Sequence, residues 1–185
     1  MEEISYITSN PHKAAHMSRL LNSSFSPISL AIPEIQSLDI DEVIREKAKA
    51  AYEVVKKPLF VDDISLTIHA LGKLPGPFIK FFLSEIGADS LCRMISDERS
   101  ALGEAALGYH DGQNIHIFHG QVKGKIAEKE MSENGFGWDR IFIPEGFSIT
   151  RGEMSSADYD LTSPRRIALE KFRSLLNKKS AIADL

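Results

Sequence analysis

Cysteine is nearly absent from this 185-residue chain. Cys92 stands alone, so no internal disulfide can form and a reducing, cytoplasmic compartment is expected. Within Leu91-Cys92-Arg93-Met94-Ile95 the thiol reads as helix packing rather than as a nucleophile. Long apolar runs are missing too. None approaches the roughly 20 residues of a membrane span, and Met1-Glu2-Glu3-Ile4 lacks the basic-then-apolar layout of a signal peptide, so no membrane association is expected. Positive charge is not in excess: 22 Lys and Arg against 26 Asp and Glu leave a net charge of −4. That balance argues against a general nucleic-acid or anionic-membrane surface, while leaving room for a local cationic pocket. No GxxxxGK[ST] occurs, which excludes a P-loop. Repeats, low-complexity tracts and linkers are absent, so residues 1–185 read as one domain. A composition of 43% hydrophobic and 26% charged residues is that of an ordinary globular protein.

Against these absences stands Leu59-Phe60-Val61-Asp62-Asp63-Ile64-Ser65-Leu66. Its apolar start reads as a buried strand that ends in two adjacent acids. Successive strand residues face opposite ways, so Asp62 and Asp63 cannot share a target while the strand stays regular. One carboxylate can enter a cleft, and the other must be satisfied elsewhere by metal, hydrogen bonds or water. Two solvated turn acids are the alternative.

Earlier in the chain, Ile4 to Thr8 reads as a first strand and Pro11 to about Leu21 as a helix, with Asn10 or Ser9 as cap. Such a strand–turn–helix start can seat a phosphate, with Lys13 one turn in, or it can be a plain connection. Ile28 to Ile32 suggests a weak second strand. Glu34 then sits between apolar neighbours, an unusual place for an acid unless it ligates or pairs. Asp39 to about Lys57 reads as a helix with Val43, Ala50 and Val54 on its apolar side and Lys47 nearer its start. Gly72, Pro75, Gly76 and Pro77 shape a rigid loop. Helices are expected from Ile79 to about Ile86 and from Ser90 to about Ser96. Strands follow at Ala101–Tyr109, Ile115–Phe118 and about Gly120–Glu128, the first two joined by a hairpin turn at 110–113. His110, His116 and His119 look metal-like on paper, but alternation puts His116 and His119 on opposite faces, which argues against a metal site there.

Gly135-Phe136-Gly137-Trp138-Asp139 sets flat rings beside a carboxylate, ahead of a strand at 140–144. Such a loop can stack a base and bond its edge, or it can simply be anchored by aromatic packing. Ser163-Pro164-Arg165-Arg166 opens a C-terminal helix whose apolar side is Ile167, Leu169, Phe172, Leu175 and Leu176. Two arginines that early oppose the helix dipole, and an anionic partner would resolve the conflict.

Six of these stretches, in order, resemble the inosine triphosphate pyrophosphatase family (XTP/dITP diphosphohydrolases). They are Thr8-Ser9-Asn10-Pro11-His12-Lys13, Ile32-Pro33-Glu34-Ile35-Gln36, Val61-Asp62-Asp63, Ala70-Leu71-Gly72-Lys73-Leu74-Pro75-Gly76-Pro77, Phe136-Gly137-Trp138-Asp139 and Ser163-Pro164-Arg165. The resemblance implies an α/β fold: an elongated mixed β-sheet flanked by helices, with two lobes and a central nucleotide-binding cleft. It also implies a homodimer that hydrolyses deaminated purine triphosphates (ITP, dITP, XTP) to the monophosphate and pyrophosphate. By the same resemblance Thr8, Ser9, Asn10, Pro11, His12 and Lys13 hold the triphosphate, with Lys47 a further contact. Glu34 and Asp63 bind Mg²⁺, and Asp63 is also the base that activates water. Phe136, Gly137, Trp138 and Asp139 line the base pocket and Arg165 contacts the base.

The sequence departs from the family at several of these places. Ile64 replaces the Ser or Thr common after Asp63. Tyr159 stands where the family has lysine, and Pro164 where it has histidine, with Arg166 a possible compensation. The departures fall on the half that reads the base. Rival readings are the same chemistry on a broader nucleotide set, a nucleotide binder without turnover, and a generic α/β interaction module.

Overall fold

The computed structural model describes residues 4–21 and 27–183, with side chains described up to 177. The Met1–Glu3 segment, on which part of the signal-peptide reading rests, lies outside the described residues. The first strand, β1 (Ser5–Tyr6), hands over at Asn10 to helix α1 (Pro11–Leu21). The Asn10 side chain accepts from the backbone N–H groups of His12 and Lys13, which is the cap that an Asn-Pro start encodes. Helix α2 (Ile40–Val55) is capped by Asp39 and stops at Lys56, whose backbone turns left-handed. Strand β2 (Leu59–Ile68), the two-residue β3 (Pro75–Gly76), and helices α3 (Ile79–Glu85) and α4 (Ala88–Arg93) follow. Long strands β4 (Ser100–His110) and β5 (Ile115–Ile126), short β6 (Phe142–Pro144), and helices α5 (Ser156–Leu161) and α6 (Pro164–Ala183) complete the order.

The described strands form one mixed sheet in the order β1-β2-β4-β5-β6, with β3 also on β2. β1 runs parallel to β2, and the other pairs are antiparallel. One apolar core gathers Leu66, Ile68, Ile79, Leu91, Trp138 and Phe142. Two more form around Tyr6, Phe60 and Phe172, and around Ile7, Ile44 and Val61. Mixed sheet, flanking helices and separate cores agree with the expected α/β fold.

Several local expectations are corrected. Residues 28–32 make no strand: Ile28 forms a single bridge to Ile7, and the rest is coil. The two strands expected at 115–118 and 120–128 are one continuous β5, because β4 pairs with it without a break from Ser100 to His110. The buried side of α2 is Ile40, Val43, Ile44, Ala48 and Ala51, whereas Val54 is 64% exposed and Ala50 half-buried. Asp62 and Asp63 do not end their strand. They are its fourth and fifth residues, paired with Leu107 and Ala106 in mid-sheet.

Gly120 explains how α6 reaches the sheet. A Cβ there would lie 1.8 Å from the Pro164 carbonyl oxygen, so only glycine lets the start of α6 press onto β5.

Candidate active site

Because strand neighbours face opposite ways, β2 sends its two carboxylates to different places. Asp62 turns inward and is almost wholly buried. It accepts from the Tyr6 hydroxyl at 2.6 Å and from Arg165 Nε at 2.8 Å, with Lys13 Nζ 3.9 Å away. Burial alone would raise its pKa, but Lys13, Arg165 and the Tyr6 hydroxyl outweigh it and hold the group well below the carboxylate range. Arg165 is thus the early cation of α6 with its anion supplied, 103 residues away in sequence. Asp63 faces the other way, with its side chain 19% exposed, and accepts from Lys13 Nζ at 2.9 Å. Burial opposes its ionisation, and Lys13 and Lys47 win, so its pKa is also lowered.

Lys13 lies within the first turn of α1 and is buried, reaching down to Asp63 and to the Asp62 carbonyl at 3.2 Å. From α2, Lys47 bonds Glu34 Oε1 at 2.6 Å and approaches the Asp62 carbonyl at 3.4 Å. From α3, Lys80 reaches Glu34 Oε2 at 3.3 Å. Against the opposing effect of burial, Lys47 lowers the Glu34 pKa. Burial likewise works against Lys47, yet Asp63 and Glu34 raise its pKa, so both partners stay charged at neutral pH.

These groups line one cavity of about 520 Å³, within the range of small-molecule sites. Thr8, Ser9, Asn10 and Lys13 contribute from one side, with Glu34, Lys47, Asp63 and Ile64 beside them. Phe136, Gly137 and Trp138 line it too, and so do Ile7 and Ile79, which belong to different cores. Three lysines therefore surround two carboxylates, a surplus of positive charge suited to a polyanion. Among the described residues, no group of three or more His, Cys, Asp and Glu side chains could hold a metal. Glu34 and Asp63, the two carboxylates of the lining, are hard oxygen donors that suit a cation taking its remaining ligands from water and a ligand's phosphates.

Six of the residues expected at the site do not line the cavity. Pro11 and His12 are exposed on α1, with the His12 ring stacked on Phe136 at 4.5 Å. Asp139 is buried behind the aromatic loop, where it accepts from Arg151 Nε at 2.9 Å, from the Tyr159 hydroxyl at 2.8 Å and from the Phe136 N–H at 3.1 Å. Tyr159, its pKa raised by burial and by Asp139, is thereby turned inward. Pro164 is the first residue of α6, packed over Gly120. Arg165 points to Asp62, and its Nη1 also meets His16 Nδ1 at 2.9 Å. Arg166 bonds the carbonyls of Asp160 and Leu161 and the Glu170 carboxylate.

Three polar residues at or beside the site were not singled out by the sequence. Lys80 lines the cavity, but in its sequence it is one ordinary helix lysine. His16 is buried, and burial and Arg165 lower its pKa to about 4. Its Nε2 lies 3.3 Å from Asp160 Oδ1, yet the geometry leaves that nitrogen without a proper hydrogen bond. Arg151, also buried, joins Asp139 to Tyr159. A period count along α1 would have flagged His16, which shares a face with Lys13 and Met17; nothing local marks the other two.

Comparison with known proteins adds a second line of observation. The sequence profile of the Ham1 family matches residues 4–175. The chain is 37% identical over 185 residues to "Inosine triphosphate pyrophosphatase" of Schizosaccharomyces pombe, covering 97% of each chain. It is 41% identical over 145 residues to "dITP/XTP pyrophosphatase" of Saccharolobus solfataricus, covering 77% of this chain and 76% of that one. Among solved structures, a HAM1 protein from Coxiella burnetii superposes with a TM-score of 0.79 at 24% identity, over 95% of this chain and 100% of that one. A nucleoside-triphosphatase / dITP/XTP pyrophosphatase from Mycobacterium abscessus gives 0.71 at 27% identity, over 91% and 97%.

Proposed function

The chain belongs to the Ham1 family, and on that footing we propose that it hydrolyses ITP, dITP and XTP to the monophosphate and pyrophosphate, clearing deaminated purine nucleotides. The observation that carries this reading is the meeting of Lys13, Glu34, Lys47, Asp63 and Lys80 with the aromatic loop 136–138 in one cavity. A nucleoside triphosphate needs both halves: cations for the polyphosphate, and flat apolar surface for the base.

In this reading Lys13, Lys47 and Lys80 bind the triphosphate beside the Thr8–Asn10 turn. Phosphate oxygens compete for lysines now paired with Asp63 and Glu34, which frees those carboxylates. Glu34 and Asp63 would hold Mg²⁺, which supplies charge neutralisation on the phosphates when bound. Asp63, ionised at neutral pH, takes the proton of the attacking water as the new P–O bond forms and pyrophosphate leaves. Phe136 and Trp138 offer the base an apolar lining, and the buried Trp138 Nε1–H has no hydrogen-bond partner among the described residues. A homodimer and a cytoplasmic setting belong to the same reading. The buried free Cys92 thiol, its pKa pushed up to about 11 chiefly by burial, is an unreactive packing residue.

One observation favours a wider base range as a second reading: Asp139, Tyr159 and Arg165 are all engaged inside the protein. Pyrophosphate release from ITP, XTP, dITP, ATP, GTP and pyrimidine triphosphates with Mg²⁺ separates the two. Preference for inosine and xanthosine nucleotides supports the first reading, flat turnover the second, and no turnover of any triphosphate refutes both.

A further inference from the structure

We propose that Arg151 is a positioning residue that fixes the aromatic wall of the cavity and thereby sets how sharply bases are distinguished; this rests on the nucleotide reading above. Arg151 sits in a single helical turn (Arg151–Glu153) closed by Glu153, whose carboxylate accepts from both the backbone N–H and the hydroxyl of Thr150. Its backbone is therefore held locally, and its guanidinium, 3% exposed, reaches inward. Nε bonds Asp139 Oδ1 at 2.9 Å, and Nη1 bonds the Tyr159 carbonyl at 3.1 Å and the Thr162 hydroxyl at 2.7 Å. The same group lies 4.0 Å over the Tyr159 ring and 5.8 Å from the Trp138 ring.

The carboxylate it holds is fully used. Asp139 Oδ2 takes the Tyr159 hydroxyl and the Phe136 N–H, so Arg151, Asp139 and Tyr159 form a frame tied to the backbone of the loop that lines the cavity. The loop also packs against the Arg151 turn, where a Cβ at Gly135, with φ +90°, would lie 3.0 Å from Gly152 Cα. Asp139 thus acts on a ligand through Phe136 and Trp138. Tyr159 stands where the resemblance expects a lysine, and the nearer positive charge beside it is Arg151, 4.0 Å over the ring, with Arg19 at 5.6 Å and engaged by Asp160. Arg166, the other candidate, is spent on Asp160, Leu161 and Glu170.

Stacking alone tolerates any base, so discrimination depends on where the rings are held. Lysine keeps the charge at 151 but cannot reproduce a fork that bonds a carboxylate, a carbonyl and a hydroxyl at once. The test uses Arg151→Lys in the full chain, with Michaelis kinetics on ITP and ATP and acrylamide quenching of Trp138, the single tryptophan. The expected result is a KM for ITP raised about tenfold with kcat within about threefold, and an ITP-over-ATP preference reduced to match. Trp138 becomes more accessible to quencher. A lowered melting temperature with unchanged KM, base preference and quenching would make the role purely structural and overturn the proposal. Should Arg151→Lys fail to fold, the charge-neutral pair Arg151→Gln with Asp139→Asn is held to the same split. Quenching needs no turnover, so it reads the frame even if the wild-type protein hydrolyses none of the nucleotides, a result that would sink the functional reading instead.

Discussion

Changing Asp62 or Asp63 to asparagine, adjacent residues on one strand, should give opposite phenotypes. Among the described residues Asp62 is the only carboxylate bonded to Arg165, so Asp62→Asn leaves the buried guanidinium short of an anion, while Lys13 keeps its closer partner Asp63. Breaking a buried pair from one side costs about 3–5 kcal/mol. For a chain of this length that lowers the melting temperature by about 6–20 °C, at roughly 2–4 °C per kcal/mol. Asp63→Asn weakens the 2.9 Å contact to the buried Lys13, which keeps Asp62 at 3.9 Å and the Asp62 carbonyl, so the cost is smaller, about 1–3 kcal/mol. The same change removes the proposed base, and turnover should fall about 10²–10⁴-fold. Scanning calorimetry and pyrophosphate release on both variants make the comparison. The pH dependence gives an independent check. The folded pKa of Asp62 lies below its unfolded value of about 3.9, so its stabilisation is complete above that value and is lost as pH falls through the folded pKa. Asp62→Asn should flatten that acid limb. An Asp62→Asn protein as stable as wild type, or an Asp63→Asn protein with full turnover, would refute the division of labour.

Other consequences are checked more briefly. Lys47→Met should raise the KM for triphosphates about tenfold or more while leaving the fold intact by circular dichroism, since it removes one of the three lysines that line the cavity. His16→Gln should change stability between pH 6.5 and 4. There the unfolded wild-type chain binds a proton that the folded state refuses, at a cost of up to about 3 kcal/mol over the 2.5-unit gap. Wild-type stability falls as pH drops through that window, and the variant's should not; parallel denaturant titrations read this. Gly120→Ala should destabilise by about 1–3 kcal/mol or more through the clash with the Pro164 carbonyl, and a melting temperature equal to wild type would contradict the close packing of α6 on β5.

Much of this was legible in the residues because the signals were local. Asn10-Pro11 marks the start of α1, Asp39 that of α2, and the branched and aromatic run from Leu59 marks β2. What escaped was set by partners distant in sequence. Alternation announces that Asp62 and Asp63 diverge, but only the fold brings Arg165 to Asp62 and Lys13 between them. The break expected between Phe118 and Gly120 does not occur, because β4 pairs with β5 straight through it, and Gly120 serves instead the approach of α6. On α2, the small residues Ala48 and Ala51 are buried while the larger Val54 is exposed, so hydrophobicity alone mis-phased the helix. Arg151 carried no signal of its own, because a lone arginine in a loop looks solvated until Asp139 and Tyr159 close around it.

The central claim is that Glu34 and Asp63 share one divalent cation in this cavity. Electron paramagnetic resonance of Mn²⁺ bound with a non-hydrolysable ITP analogue tests it directly. Both Glu34→Gln and Asp63→Asn should weaken cation binding while the nucleotide still binds; a protein-bound Mn²⁺ signal unchanged in either variant would contradict the shared site.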